Sequence, residues 1–225
     1  MKKEKDEEVM LSIHPDHLKN KHYDLTLYAL GAVSGYVNTE LNKRVVNKRE
    51  FNAAVQTNLK LDARKRKKLM NTLIELNLIE EDNDNYYWNP MNNFFVKLKV
   101  NTVIYCLDVL SSNAFKVYCY LLNKQNYHDG KKIRENYFFS RTELVEACGY
   151  AVNNRNRVMI NNILVSLEEL GLISYNHEGI TRPGSRGTYL ELYSVSLEGR
   201  TQKKAEKELP NVYHRPLRPY EKIID

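Results

Sequence analysis

Arg64-Lys65-Arg66-Lys67-Lys68 sets five cations side by side with no acidic residue among them. On a helix, the 3.6-residue period groups Lys60, Arg64, Lys67, Lys68 and Asn71 on one side, opposite Leu69, Met70, Leu73 and Leu76. Ammonium and guanidinium groups presented together attract phosphates. A nearly all-cationic face suits attachment to a sugar-phosphate backbone better than discrimination between bases. Arg66 falls on the inward side of that helix, where it is expected to snorkel outward, and it is not counted as a contact.

A second face carries different chemistry. Asn154, Val158, Asn161 and Val165 share one side of a helical period, flanked by Arg155, Arg157 and Asn162. Opposite them run Ile160, Ile163, Leu164, Leu167 and Leu170, a core stripe. An Asn amide can bond adenine bidentately, Arg can bond guanine, and Val can touch a thymine methyl. Such a helix in a major groove would read bases as well as phosphates. Arg182-Pro183-Gly184-Ser185-Arg186-Gly187 forms a basic, glycine-rich tip whose Arg182 and Arg186 could enter a minor groove. Lys48 and Arg141, each at the start of a helix upstream of these faces, complete the candidate DNA-binding set.

Other chemistries lack their residues. No G-x-x-x-x-G-K-[ST] phosphate loop occurs, and no two of the six histidines are separated by one residue, as a His-hydrophobic-His metal site requires. His128 and Asp129 adjoin without a third partner, so the chain is expected not to be an enzyme and to need no cofactor. His14, His17 and His22 invite a metal reading, but Pro15 interrupts them and no cysteine joins them, so a solvated arm is expected and no metal. Cys106, Cys119 and Cys148 are odd in number, far apart and in apolar contexts, which fits buried thiols in a reducing cytoplasm. The charged start leads to no apolar signal region, and no apolar run is long enough for a membrane span. A cytoplasmic protein without a membrane partner is therefore expected. The net charge of +6 and pI near 9.0 suit a polyanion.

The elements that must position these faces come twice. Leu73-Ile74-Glu75-Leu76-Asn77-Leu78-Ile79 is echoed by Leu167-Glu168-Glu169-Leu170-Gly171-Leu172-Ile173. Upstream of each copy stands a polar cap followed three residues later by Glu: Asn47 with Glu50, and Ser140 with Glu143. In the first copy Asp24 caps a helix in which Gly31 and Gly35 permit close packing. A short Val45-Val46 strand, helices over about 48–56 and 63–76, and an acidic hairpin with a polar Asn83-Asp84-Asn85 tip over 80–89 follow. The second copy repeats this with a helix from Ser112 or Asn113, a polar loop from Asn126 to Arg134 and a Tyr137-Phe138-Phe139 strand. Helices over 142–148 and 154–170 and a longer hairpin complete it. That order reads as a winged helix. The expected class is mainly α with small β-hairpins (α+β), as tandem winged helix-turn-helix domains. The expected organisation is a polar N-terminal arm over 1–23, domains over 24–90 and 94–200 joined near Pro90-Met91-Asn92-Asn93, and an extended tail over 201–225. Phe94 to Tyr105 reads as an extended strand entering the second domain.

Leu110-Ser111-Ser112-Asn113-Ala114-Phe115-Lys116-Val117-Tyr118, Asp129-Gly130 and Phe138-Phe139-Ser140-Arg141-Thr142-Glu143-Leu144 make up a family pattern. It continues through Leu167 to Ile173 and an Arg182-Pro183-Gly184 wing before Tyr189-Leu190. The stretch of about residues 94–197 resembles the N-terminal winged-helix region of RepA-type plasmid replication initiators and phage replisome organisers of low-GC Gram-positive bacteria. The resemblance implies binding to repeated double-stranded DNA sites at an origin, often as a homodimer, in company with host replication proteins. Such initiators usually carry one winged helix followed by a helical domain, whereas this chain reads as two winged helices and a tail. A transcriptional repressor of a mobile element would use the same surfaces. A winged-helix interaction module of a replisome or partition complex would turn the same helices toward protein.

Overall fold

Polar caps and apolar periods place most helices where the sequence puts them. The computed structural model describes residues 7–20, 22–89, 95–126, 137–181, 188–197, 212–213 and 222–223. Among these are eight helices and small, mostly antiparallel sheets, a mixed α and β chain. The chain divides into two units, Met1–Cys119 and Tyr120–Asp225.

The first unit contains β1 (Glu8–Ser12), α1 (Pro15–Lys19), α2 (Leu25–Ser34), β2 (Tyr36–Asn38), β3 (Lys43–Asn47), α3 (Lys48–Leu59) and α4 (Ala63–Glu75). β4 (Ile79–Glu81), β5 (Asn85–Trp88), β6 (Phe95–Lys99) and α5 (Val100–Val109) follow, and α6 (Ser112–Asn126) runs across the division. Each of the three central helices starts on a side-chain cap. Asp24 accepts from the Thr26 and Leu27 amides, Asn47 from Arg49 and Glu50, and Asp62 from Lys65. The sheet runs β2-β3-β5-β4, all antiparallel, with Val45 opposite Tyr87 and Val46 opposite Tyr86. Phe51 of α3 meets Trp88 edge-on at 5.6 Å, and Leu69, Met70 and Leu73 bury the apolar side of α4.

The second unit contains β7 (Tyr137–Phe139), α7 (Arg141–Ala147), α8 (Asn154–Glu169), β8 (Ile173–Thr181), β9 (Thr188–Leu197), β10 (Val212–Tyr213) and β11 (Lys222–Ile223). β9 pairs antiparallel with both β7 and β8. In each unit, then, the strand before the helix pair bonds to the last strand of the hairpin: β3 to β5, and β7 to β9. Ile160, Ile163, Leu164 and Leu167 are buried as the stripe requires, while Leu76 and Leu170 sit half-buried at the helix ends.

Those ends are built alike. The Leu78 amide donates to the Leu73 carbonyl and the Asn77 amide to Ile74; Leu172 donates to Leu167 and Gly171 to Glu168. The pattern requires a left-handed residue, and Asn77 and Gly171 supply it with φ of 54° and 67°. Gly171→Ala should therefore cost about 1 kcal/mol in denaturant unfolding, and Gly171→Asn less, because Asn tolerates this conformation. Equal stability of the wild type and Gly171→Ala would refute the cap.

Several expectations are corrected. The solvated arm expected over 1–23 is, in its described residues, strand β1 and helix α1, with Val9, Leu11, Ile13 and Leu18 buried. β1 pairs antiparallel with β6, Glu8 opposite Lys99. The strand expected to reach Tyr105 ends at Lys99, and the chain turns into α5, which buries Val103 and Cys106. Residues separated by three positions share a helix face, and this burial outweighs the strand preference of the β-branched residues there. Asn126, expected to open a polar loop, is the last residue of α6, and the rest of that loop as far as Arg134 lies outside the described residues. The junction expected at Pro90-Met91-Asn92-Asn93 lies outside them too; the observed division falls within α6. Of the tail, β10 pairs with β8 and β11 runs parallel to β9. Cys106, Cys119 and Cys148 are all buried, and burial pushes the Cys106 thiol up to about 11. Among the described residues no helix is long and apolar enough to cross a membrane.

Candidate nucleic-acid interface

Helix α4 presents its cations to solvent because its apolar stripe fixes its rotation. With Leu69, Met70 and Leu73 inward, Arg64, Lys67, Lys68 and Asn71 are exposed, and Lys60 is exposed in the turn before the helix. Lys60 takes a left-handed conformation with φ 51°, which ends α3 and directs the chain into Asp62, the cap of α4. Arg66 is half-buried, and its guanidinium reaches the Asn52 carbonyl on α3 at 3.5 Å. It thus links α4 to α3 by one long hydrogen bond, and does not snorkel fully outward. Lys65 is exposed too, although periodicity places it on the flank of the face. The first turn of the helix leaves that flank open, as it does Arg49 at the start of α3. Both cations were legible as charges; only the packing reveals them as accessible.

The hairpin of this unit behaves oppositely. Its carboxylates hold lysines of the same unit: Glu80 lies 2.6 Å from Lys43 Nζ, and Glu81 lies 2.6 Å from Lys48 Nζ. Lys48 also donates to the Asp82 carbonyl and stands 5.0 Å over the Tyr86 ring. Burial opposes the charge on Lys48, but the Glu81 carboxylate outweighs it and holds the ammonium pKa above its ordinary value. The hydrogen bond from Lys43 keeps the Glu80 carboxyl below the usual range. The Tyr87 hydroxyl, helped by the Asn85 and Asp84 amides, does the same for Asp82. Lys48, expected as a DNA contact, is therefore engaged by the acidic hairpin. Among the described residues, no ion pair joins Lys60, Arg64, Lys65, Lys67 or Lys68 to a carboxylate.

In the second unit Asn153 caps α8 by accepting from the Asn156 amide at 2.9 Å, and Asn156 in turn donates to the Ala151 carbonyl. Asn154, Arg155, Val158, Asn162 and Val165 are exposed, and Asn161 and Arg157 are half-buried. Arg141 is half-buried as well, its guanidinium 5.7 Å over the Tyr193 ring of β9. Arg182 and Arg186 lie outside the described residues. Glu168 and Glu169 are exposed at the far end of α8, leaving its first half the more favourable end for an anion.

The geometry thus yields two helix faces able to meet a polyanion, one cationic and one amide-bearing. No family model, curated protein or solved structure matches the chain.

Proposed function

We propose that the two units are winged helices and that the chain is a non-enzymatic, cytoplasmic, sequence-specific binder of double-stranded DNA. In this reading α4 grips phosphates through Lys60, Arg64, Lys67 and Lys68, and α8 enters a major groove. One observation carries it: among the described residues the cations of α4 stand exposed and outside the ion pairs, while Glu80 and Glu81 of the hairpin are matched by Lys43 and Lys48. A merely solvated surface has no need of that sorting. The biological setting we infer is initiation of replication on a plasmid or phage, supported by the resemblance of residues 94–197 to RepA-type initiators and phage replisome organisers.

The test is selection of duplexes from a random pool, followed by titration across salt. A recurring motif should emerge. If the four α4 cations named above each meet a phosphate, they alone should give a slope of log affinity against log salt near −3.6, at about −0.9 per phosphate. Weak binding that does not change with salt would remove the proposal in favour of a protein-interaction module. Footprints on repeated origin sites support replication; a single promoter operator would move the assignment to a transcriptional repressor of a mobile element.

A further inference from the structure

α8 displays side chains that neither folding nor solubility calls for. Val158 is 50% exposed and Val165 is 37% exposed, both on the side turned away from Ile160, Ile163, Leu164 and Leu167. Val is a weaker helix former than Ala, Glu or Lys, so an exposed helical Val gains nothing from propensity, and at these exposures it gains little from packing. Inside a helix Asn has the same weakness, yet Asn162 is exposed one turn beyond Val158; Asn154 is exposed one turn before it, and Asn161 is half-buried at the edge of the face. Amides and β-branched methyls therefore share one ridge.

The base pair that matches this pairing of groups is A·T. In the major groove thymine shows a C5 methyl, and adenine shows the N7 acceptor and N6 donor that an Asn amide bonds bidentately. Val158 and Asn162 are one helical turn apart, about 6 Å along the axis, close to two base steps of about 3.4 Å. A methyl contact and an amide contact can thus fall on pairs two steps apart, within one short site. Arg155, on the flank of the ridge, can hold the adjoining phosphate, and Glu168 and Glu169 keep the far end of the helix out of the groove.

Resting on the DNA-binding reading above, we infer that α8 selects A·T pairs, with Val158 against a thymine methyl and Asn154 and Asn162 on adenine edges. The experiment uses the full chain and three duplex polymers: alternating dA-dT, alternating dG-dC, and alternating dA-dU, in which every thymine methyl is absent. The wild type should bind dA-dT at least tenfold more tightly than dG-dC, and lose about fourfold on dA-dU for each methyl contacted. Val158→Ala, exposed and compatible with a helix, should bind dA-dT and dA-dU alike while retaining its circular dichroism. Equal wild-type affinity for dA-dT and dA-dU, or a preference for dG-dC, overturns the inference and leaves DNA binding standing. A loss of self-association in Val158→Ala without any thymine-to-uracil difference overturns it in favour of a second copy of this chain on the ridge. Failure to bind any of the three polymers overturns the DNA-binding reading itself.

Discussion

Lys67→Glu combined with Lys68→Glu is expected to weaken duplex DNA binding by more than tenfold at low salt, and to lower the salt slope by about 2. Both side chains are exposed, and neither enters an ion pair among the described residues, so the folded state has little invested in them. Surface changes of this kind usually move stability by less than about 0.5 kcal/mol, so lost binding would not be lost folding. The effect on a polyanion is much larger. Two released counterions per complex disappear, and two carboxylates now face phosphates across the same distance. A lysine of the same unit provides the contrast. Lys48→Gln removes a charge already matched by Glu81 at 2.6 Å, so DNA affinity should stay within about twofold of the wild type. Titration of a labelled duplex at several salt concentrations measures both. Loss of affinity in Lys48→Gln equal to that of the double reversal would mean that general charge, and not the α4 face, drives binding.

Why that face could be read from the sequence, and other parts could not, follows from how local each signal is. The caps at Asp24, Asn47 and Ser140 act over two or three residues, so their side chains announce α2, α3 and α7 within a short window. The stripe of Leu69, Met70 and Leu73 fixes the rotation of α4 and so the outward direction of its cations. β1 gives no such notice. Val9 and Leu11 are buried, but Met10 between them is 41% exposed, so an apolar residue on the outer face hides the alternation. Its partner lies far along the chain, Glu8 opposite Lys99, and no local pattern reports that pairing. α5 was concealed by composition, since Val100, Thr102, Val103 and Ile104 carry strand preference and the helix has no side-chain cap bond. On the interface, the hydrophobic period could locate Lys48 at a helix start but could not foresee Glu81 reaching it from β4. That contact depends on how the hairpin packs against the start of α3.

The same dependence on a nonlocal approach governs the largest expected loss of stability, at a residue with no side chain. Gly31, in α2, lies directly against Trp88 of β5. A Cβ built on Gly31 would meet Trp88 Cζ2 at 1.8 Å and Cη2 at 2.2 Å, far inside van der Waals contact. Its contacts hold the ring in place: Phe51 meets it edge-on at 5.6 Å and Tyr86 at 6.4 Å, and its Nε1 donates to the Tyr28 carbonyl at 3.1 Å. Gly31→Ala gains about 1 kcal/mol of helix propensity. Displacing a buried tryptophan costs more, since overpacking alone costs about 1–3 kcal/mol and loss of the ring's packing approaches the roughly 3–5 kcal/mol of a Trp→Ala change. A net destabilisation of about 2–4 kcal/mol is expected. Trp88 is the only tryptophan of the chain, so its emission during denaturation reports this contact directly. A Trp88→Phe background distinguishes steric conflict from any intrinsic need for glycine. With the larger ring gone, Gly31→Ala should become nearly neutral when followed by circular dichroism, a coupling that two independent sites would not produce. If Gly31→Ala unfolds at the wild-type denaturant concentration, the close approach of α2 to Trp88 that joins this helix to the hairpin strand is wrong.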